Sequence, residues 1–159
     1  MILSDIVDII HIHCDGGCSV HTTKIGGYGI VLRCGAREKH IWGFAENTTN
    51  NQMELMGAIT GLQAVIKKDI ETLVTTDSKY VVEGINSWVD KWYLNDWRTA
   101  KKKPVKNCEL WQILYNEKEK FQNITFEHCY GHKDNKYNNI ADSLATKAIS
   151  TKTNGSILC

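Results

Sequence analysis

IVDIIHIHCDGG, residues 6–17, is built largely from β-branched side chains and finishes on a carboxylate followed by two glycines. The composition predicts a strand, and the glycine pair predicts a sharp turn just beyond Asp15, holding that carboxylate at the strand tip. Working outward, residues 18–25 read as a polar loop, 26–34 as a second strand entered through glycines, and about 39–45 as a third strand after a turn at Gly35-Ala36. These three form an antiparallel meander. The apolar period then changes. Leu55, Ile59, Leu62 and Ile66 recur at helical spacing, predicting a helix from 51 to about 68. A short strand at 71–76 and a helix in one or two pieces at 78–94 follow. After a basic loop at 101–104 come a helix at 107–121, a strand at 123–130, a polar loop and a helix at 139–150. The result is an α/β fold with a five-stranded mixed sheet flanked by helices, strands one to three antiparallel and four and five parallel to strand one. Sites in such sheets lie beyond the carboxyl ends of parallel strands, where Asp15 and Asp77 fall.

A chain of 159 residues, 42% hydrophobic, fits one domain over 1–159, with a core at about 6–150 and a flexible tail at 151–159. The apolar N-terminal run carries Asp5 and Asp8 and lacks a basic leader, and no other run nears the ~20 apolar residues of a membrane helix. A cytoplasmic monomer without membrane contact is therefore expected. Six cysteines without a C-x-x-C pair suit reduced thiols rather than a disulfide framework. Net charge is only +1, yet six basic residues face two acidic ones between Trp88 and Lys106.

Asp15 at its strand tip is joined by three further acidic residues, Glu54, Asp77 and Asp142, each at a junction between a loop or strand and a helix start. Each has a plain structural reading. Asp15 fits a turn, Asp77 an N-cap, and Glu54 and Asp142, three residues after Asn51 and Asn139, fit N-terminal capping. Likewise Thr49 with Gln52 fits a capping box, and Trp88 with Trp92 fits a core pair beside a solvated lysine loop. His11, His13, Cys14 and Cys18 could suggest zinc, but strand alternation points both histidines to one face and Cys14 to the other.

The acids gain meaning from their surroundings: Cys14-Asp15-Gly16-Gly17-Cys18, Thr48-Thr49-Asn50-Asn51-Gln52-Met53-Glu54, Thr75-Thr76-Asp77-Ser78, and Tyr130-Gly131-His132 with Asp142 ten residues on. In order and spacing these strings resemble the motifs of the bacterial-type ribonuclease H family over nearly the whole chain. The resemblance extends into Trp88, Trp92, Trp97 and Arg98–Asn107, similar to that family's substrate-handling protrusion. It implies that Asp15, Glu54, Asp77 and Asp142 are catalytic metal ligands and that His132 is catalytic on a mobile loop. It further implies that Gly16, Cys18, Thr49, Asn50, Asn51, Gln52, Ser78, Trp88, Trp92, Lys101, Lys102, Lys103, Lys106 and Asn107 meet an RNA/DNA hybrid. Within that set, Asn50, Asn51 and Gln52 would read the minor groove and sugars, and Thr49 with Asn107 would hold a DNA phosphate. Trp111 is expected to be core. The chain departs from the family pattern in the 18–26 loop, which carries Ser19, Val20, His21 and Thr22 without the usual proline and glycine, and at Gln52, where a basic residue is common.

The implied chemistry suits the residues. Two hard cations about 4 Å apart can stabilise both the attacking and the departing oxygen of a phosphodiester. Magnesium, with manganese as a substitute and one or two ions per site, prefers oxygen ligands, and four carboxylates repel one another unless cations lie between them. The expected activity is endonucleolytic hydrolysis of the RNA strand of hybrids, giving 5′-phosphate and 3′-hydroxyl ends. A binding module that kept only the fold, and a junction resolvase or integrase-like nuclease, are the alternatives; the intact acidic quartet opposes the first and the lysine and tryptophan protrusion the second.

Overall fold

A computed structural model describes residues 8–19, 24–130 and 135–159. Strands β1 (Ile10–Cys18), β2 (Gly26–Cys34) and β3 (Arg37–Ala45) form the meander. Helix α1 (Asn50–Ala64) leads to β4 (Thr72–Thr76), which pairs parallel with β1, and β5 (Ile124–His128) pairs parallel with β4. Between β4 and β5 lie α2 (Lys79–Glu83), a π-helical turn at Gly84–Trp88, α3 (Val89–Leu94) and α4 (Cys108–Glu119); α5 (Lys136–Thr151) and β6 (Gly155–Leu158) end the chain. The sheet order is β5-β4-β1-β2-β3-β6, so β1 is interior.

Alternation along β1 and β2 divides the sheet into two faces. Ile12, Cys14 and Ile30 are buried beneath α1, with Leu55, Leu62, Trp111 and Leu114 in the same core cluster. On the opposite face Val31 packs with Ala141 and Leu144 of α5. That helix comes very close to β2. A Cβ on Gly29 would stand 2.2 Å from the Ala141 carbonyl oxygen and 2.6 Å from Leu144 Cβ, so the glycine is what allows α5, and with it Asp142, to lie against the sheet. His11 and His13 stack on the α5 face with ring centroids 6.2 Å apart, while Cys14 joins the core. All six cysteines are free thiols.

Five details differ from the sequence reading. The residues expected as a flexible tail include a sixth strand, β6, antiparallel to β3; it is short and mostly exposed, so only its pairing partner reveals it. β1 continues through Gly16 and Gly17 to Cys18, and neither glycine has positive φ, so the pair makes no turn. Helix α1 stops at Ala64 because Val65 turns extended and the Lys68 ammonium takes the Leu62 and Val65 carbonyls; Ile66 is left 94% exposed. Helix α5 begins near Asn135, whose side chain accepts from the Asn138 N–H at 3.2 Å, which puts Asp142 in the helix body and removes its capping role. Finally, the cap of α2 is Ser78, accepting from the Val81 N–H, and not Asp77.

Candidate active site

The carboxyl end of β1 is where α1 and α5 approach the sheet from opposite faces. Asp15 comes from β1, Glu54 from the second turn of α1, and Asp77 from the end of β4, and one ligand oxygen of each lies within 4.8 Å of the others. Asp142 projects from α5 into the same cavity, of about 530 Å³. Gly16, Gly17, Cys18, Asn50, Ser78 and Thr146 line the rest. The sequence-predicted quartet thus lines one cavity, three of its members in close contact.

Glu54 is fixed by donors. The Gly16 N–H reaches its Oε1 at 2.7 Å and also Asp15 Oδ1 at 2.9 Å, while the Thr76 hydroxyl donates to Oε2 at 3.5 Å. These donors hold Glu54's geometry without neutralising the site. Burial pushes the Asp15 carboxyl far above the usual carboxylate range, and the Glu54 and Asp77 charges push it further. Glu54 is raised too, by burial first, with the bonds from Asp15 and Gly16 pulling back and Asp77 adding to the rise. No basic side chain is among the described residues lining the cavity. An oxygen-only donor set with uncompensated negative charge fits a hard divalent cation, which would replace the protons these carboxyls otherwise retain.

The substrate residues predicted from sequence separate into two groups. Gly16, Cys18, Asn50 and Ser78 line the acidic cavity; Asn50 Oδ1 accepts from the Cys18 N–H at 2.6 Å and the Cys18 thiol donates to the Thr48 carbonyl. Thr49 caps α1 by accepting from the Gln52 N–H at 3.2 Å, and Asn51 is exposed beside it. The Gln52 amide is engaged at both ends: its oxygen accepts from Thr48 and its nitrogen donates to Asn107 Oδ1. Asn107, at φ +59°, donates in turn to the Tyr80 hydroxyl, tying the start of α1 to the start of α4. Trp88 and Trp92 are half-buried against Trp111, which is fully buried, with ring centroids 6.4 and 5.6 Å away. Lys101, Lys102 and Lys103 are exposed, on a loop closed by the Thr99 N–H to Lys103 carbonyl bond and an Arg98–Pro104 bridge, and Lys106, exposed as well, follows that loop. His132 lies outside the described residues.

Sequence reading missed three supports of the cluster. Thr76 bonds both Glu54 and the Ser78 N–H, Thr48 anchors Gln52 and Cys18, and His128 Nε2 donates to the Asp77 carbonyl at 3.1 Å. The run of threonines before Asp77 was the available signal for the first; nothing local marked His128.

This fold is that of the ribonucleases H. LC9-RNase H1, a type 1 RNase H with the type 2 active-site motif, superposes with TM-score 0.81 at 24% identity over 96% of this chain and 78% of its own. LC11-RNase H1, solved in complex with an RNA/DNA hybrid, superposes with TM-score 0.65 at 22% identity over 90% and 98%. By sequence, the RNase H family model matches residues 8–150, and a ribonuclease H of Pseudomonas fluorescens is 42% identical over 92% of this chain and 94% of its own. The chain belongs to the ribonuclease H family, and is an endonuclease and hydrolase of that family.

Proposed function

We propose that this protein hydrolyses the RNA strand of RNA/DNA hybrids, leaving 5′-phosphate and 3′-hydroxyl ends, with one or two Mg²⁺ or Mn²⁺ ions held by Asp15, Glu54, Asp77 and Asp142. The observation that carries this is the meeting of carboxylates from β1, α1 and β4 within 4.8 Å, in a cavity that Asp142 completes. The hybrid bound by the same fold in LC11-RNase H1 supports the substrate class.

When bound, the cations supply the positive charge that stabilises the attacking and departing oxygens of the phosphodiester. The chain's own residues do the rest. Asp15, on an interior strand among Glu54, Asp77 and Asp142, would hold the ions together with those three carboxylates, and the donors from Gly16 and Thr76 keep Glu54 beside it. Asn50, whose oxygen is already bonded to Cys18, offers its amide donors at the cavity wall to a sugar 2′-hydroxyl, the group that distinguishes RNA from DNA. Gln52 and Asn107 act through their mutual bond, holding Asn50, Asn51 and Thr49 in place for the minor groove and a DNA phosphate. His132 is assigned proton movement and product release.

Offering hybrid, duplex RNA, duplex DNA and a four-way junction with Mg²⁺ tests the reading. Cleavage of hybrid alone is expected; junction cutting, or hybrid cutting that survives chelation, would overturn it. The exposed lysine loop gives a separate quantitative expectation. Each Lys→Ala change at 101, 102, 103 and 106 that removes a phosphate contact lowers the slope of log Kobs against log salt by about 1. Hybrid-binding titrations at several salt concentrations measure that slope directly, and an unchanged slope in the quadruple variant removes the loop from the interface.

A further inference from the structure

A second constellation of metal-ligating side chains lies away from the acidic cavity. Glu38 and His40 are i, i+2 on β3 and so share one sheet face, and Cys159, just past the end of β6, donates its backbone N–H to the Glu38 carbonyl at 2.9 Å. The β3–β6 register pairs Lys39 with Leu158 and His40 with Ile157, so the next pair is Glu38 opposite Cys159, on the same face as His40. His40 Nε2 and Glu38 Oε2 are 2.7 Å apart, and an imidazole nitrogen, a carboxylate oxygen and the thiol sulfur all fall within 4.8 Å of one another.

This cluster belongs to the opposite end of the sheet from catalysis. Asp15 is in register with Trp42 through Gly29, and Glu38 lies four residues before Trp42 along β3. Its chemistry also differs. A nitrogen, sulfur and oxygen set selects a borderline-soft ion such as Zn²⁺, whereas the oxygen-only set at Asp15 selects Mg²⁺. The position gives the site a task. β6 is anchored near its start, where Trp42 Nε1 donates to the Thr153 hydroxyl, the Phe44 N–H donates to Asn154 Oδ1, and Gly155 lies under the Trp42 ring. Toward its end the strand is paired through its backbone but buries little side chain: Ile157 is 56% and Leu158 80% exposed.

We propose that Glu38, His40 and Cys159 form a second metal site of the zinc class, which clips the end of β6 to the sheet edge. Ligand atoms already this close accommodate an ion at about 2.0–2.3 Å after small side-chain rotations, with solvent in the fourth position of a tetrahedron. On binding, the thiol proton and any proton shared between His40 and Glu38 pass to solvent; no oxidation occurs.

The test uses the full chain in excess Mg²⁺, which fills the acidic site, titrated with Zn²⁺ and separately with Co²⁺ as a spectroscopic probe. Wild type is expected to show a thiolate-to-cobalt charge-transfer band that Cys159→Ser abolishes. Cys159→Ser and His40→Ala are each expected to weaken Zn²⁺ binding by at least the 10–100-fold, on the order of magnitude, that loss of even an outer partner costs a metal site. Zn²⁺ should also slow hydrogen exchange at the β6 amides in wild type and not in Cys159→Ser. A charge-transfer band of equal intensity in Cys159→Ser, or Zn²⁺ affinity unchanged in both variants, overturns the site, whatever the outcome of the hybrid-cleavage assay.

Discussion

Asp15→Asn is expected to lower hybrid cleavage by on the order of 10³-fold or more while raising the melting temperature of the protein in chelator. The two effects share one cause. Asp15 is only 8% exposed and faces Glu54 and Asp77, and burial followed by those charges raises its carboxyl far above the ordinary range. A folded-state pKa above the unfolded value means that the native state binds more protons between the two. Metal-free stability is therefore full below the ordinary carboxylate range and falls as pH rises through it toward the raised value. Asparagine keeps the oxygen that accepts the Gly16 N–H and needs no proton taken up on folding, so the variant should gain about 1–2 kcal/mol at neutral pH and lose most of that slope. Mg²⁺ should invert the order. Binding to the native state stabilises the parent by RT ln(1 + [L]/Kd), about 2.7 kcal/mol at a hundredfold excess over Kd, and the variant has lost a ligand. Scanning calorimetry across pH, with and without Mg²⁺, reads both signs. A variant that melts below the parent in chelator at neutral pH would show that the carboxylate is not held against its neighbours.

What the sequence disclosed depended on how local each cause was. The meander, α1 and the β4 to α2 junction are written in short-range periodicity, and the four acids could be grouped because their neighbouring residues formed recognisable strings. Their convergence was not local. It requires α5 to reach β2 across Gly29, a contact between residues more than a hundred positions apart. β6 was hidden for the same reason, since Gly155–Leu158 has no burial pattern of its own and becomes a strand only on the edge of β3. The end of α1 was misread because a periodic isoleucine, Ile66, outweighed the capping action of Lys68. Gln52 and Asn107 look like free recognition groups in sequence, and only the fold shows that they bond each other.

Gly16→Ala is expected to destabilise the protein by roughly 3 kcal/mol and to cut hybrid cleavage by on the order of 10²-fold, whereas Gly17→Ala should do little. Composition treats the two glycines as one turn signal; the structure gives them opposite standing. A Cβ on Gly16 would lie 2.4 Å from the Met53 carbonyl carbon, 2.5 Å from its oxygen and 2.6 Å from the Glu54 nitrogen, while one on Gly17 meets nothing within 4 Å. The obstructing atoms are helix backbone, which cannot rotate aside as a side chain would. The first turns of α1 must therefore move off β1, carrying Glu54 away from Asp15 and stretching the 2.7 Å bond from the Gly16 N–H that positions it. Displacements near 1 Å in such a constellation cost about two orders of magnitude in rate, because the carboxylates act only as a set. Urea unfolding of both variants beside kcat/KM on a hybrid substrate separates the effects, with Gly17→Ala within about 0.5 kcal/mol of the parent. Equal stability of the two variants would mean that α1 does not press on β1 at Gly16, and the close seat of Glu54 beside Asp15 would lose its structural cause.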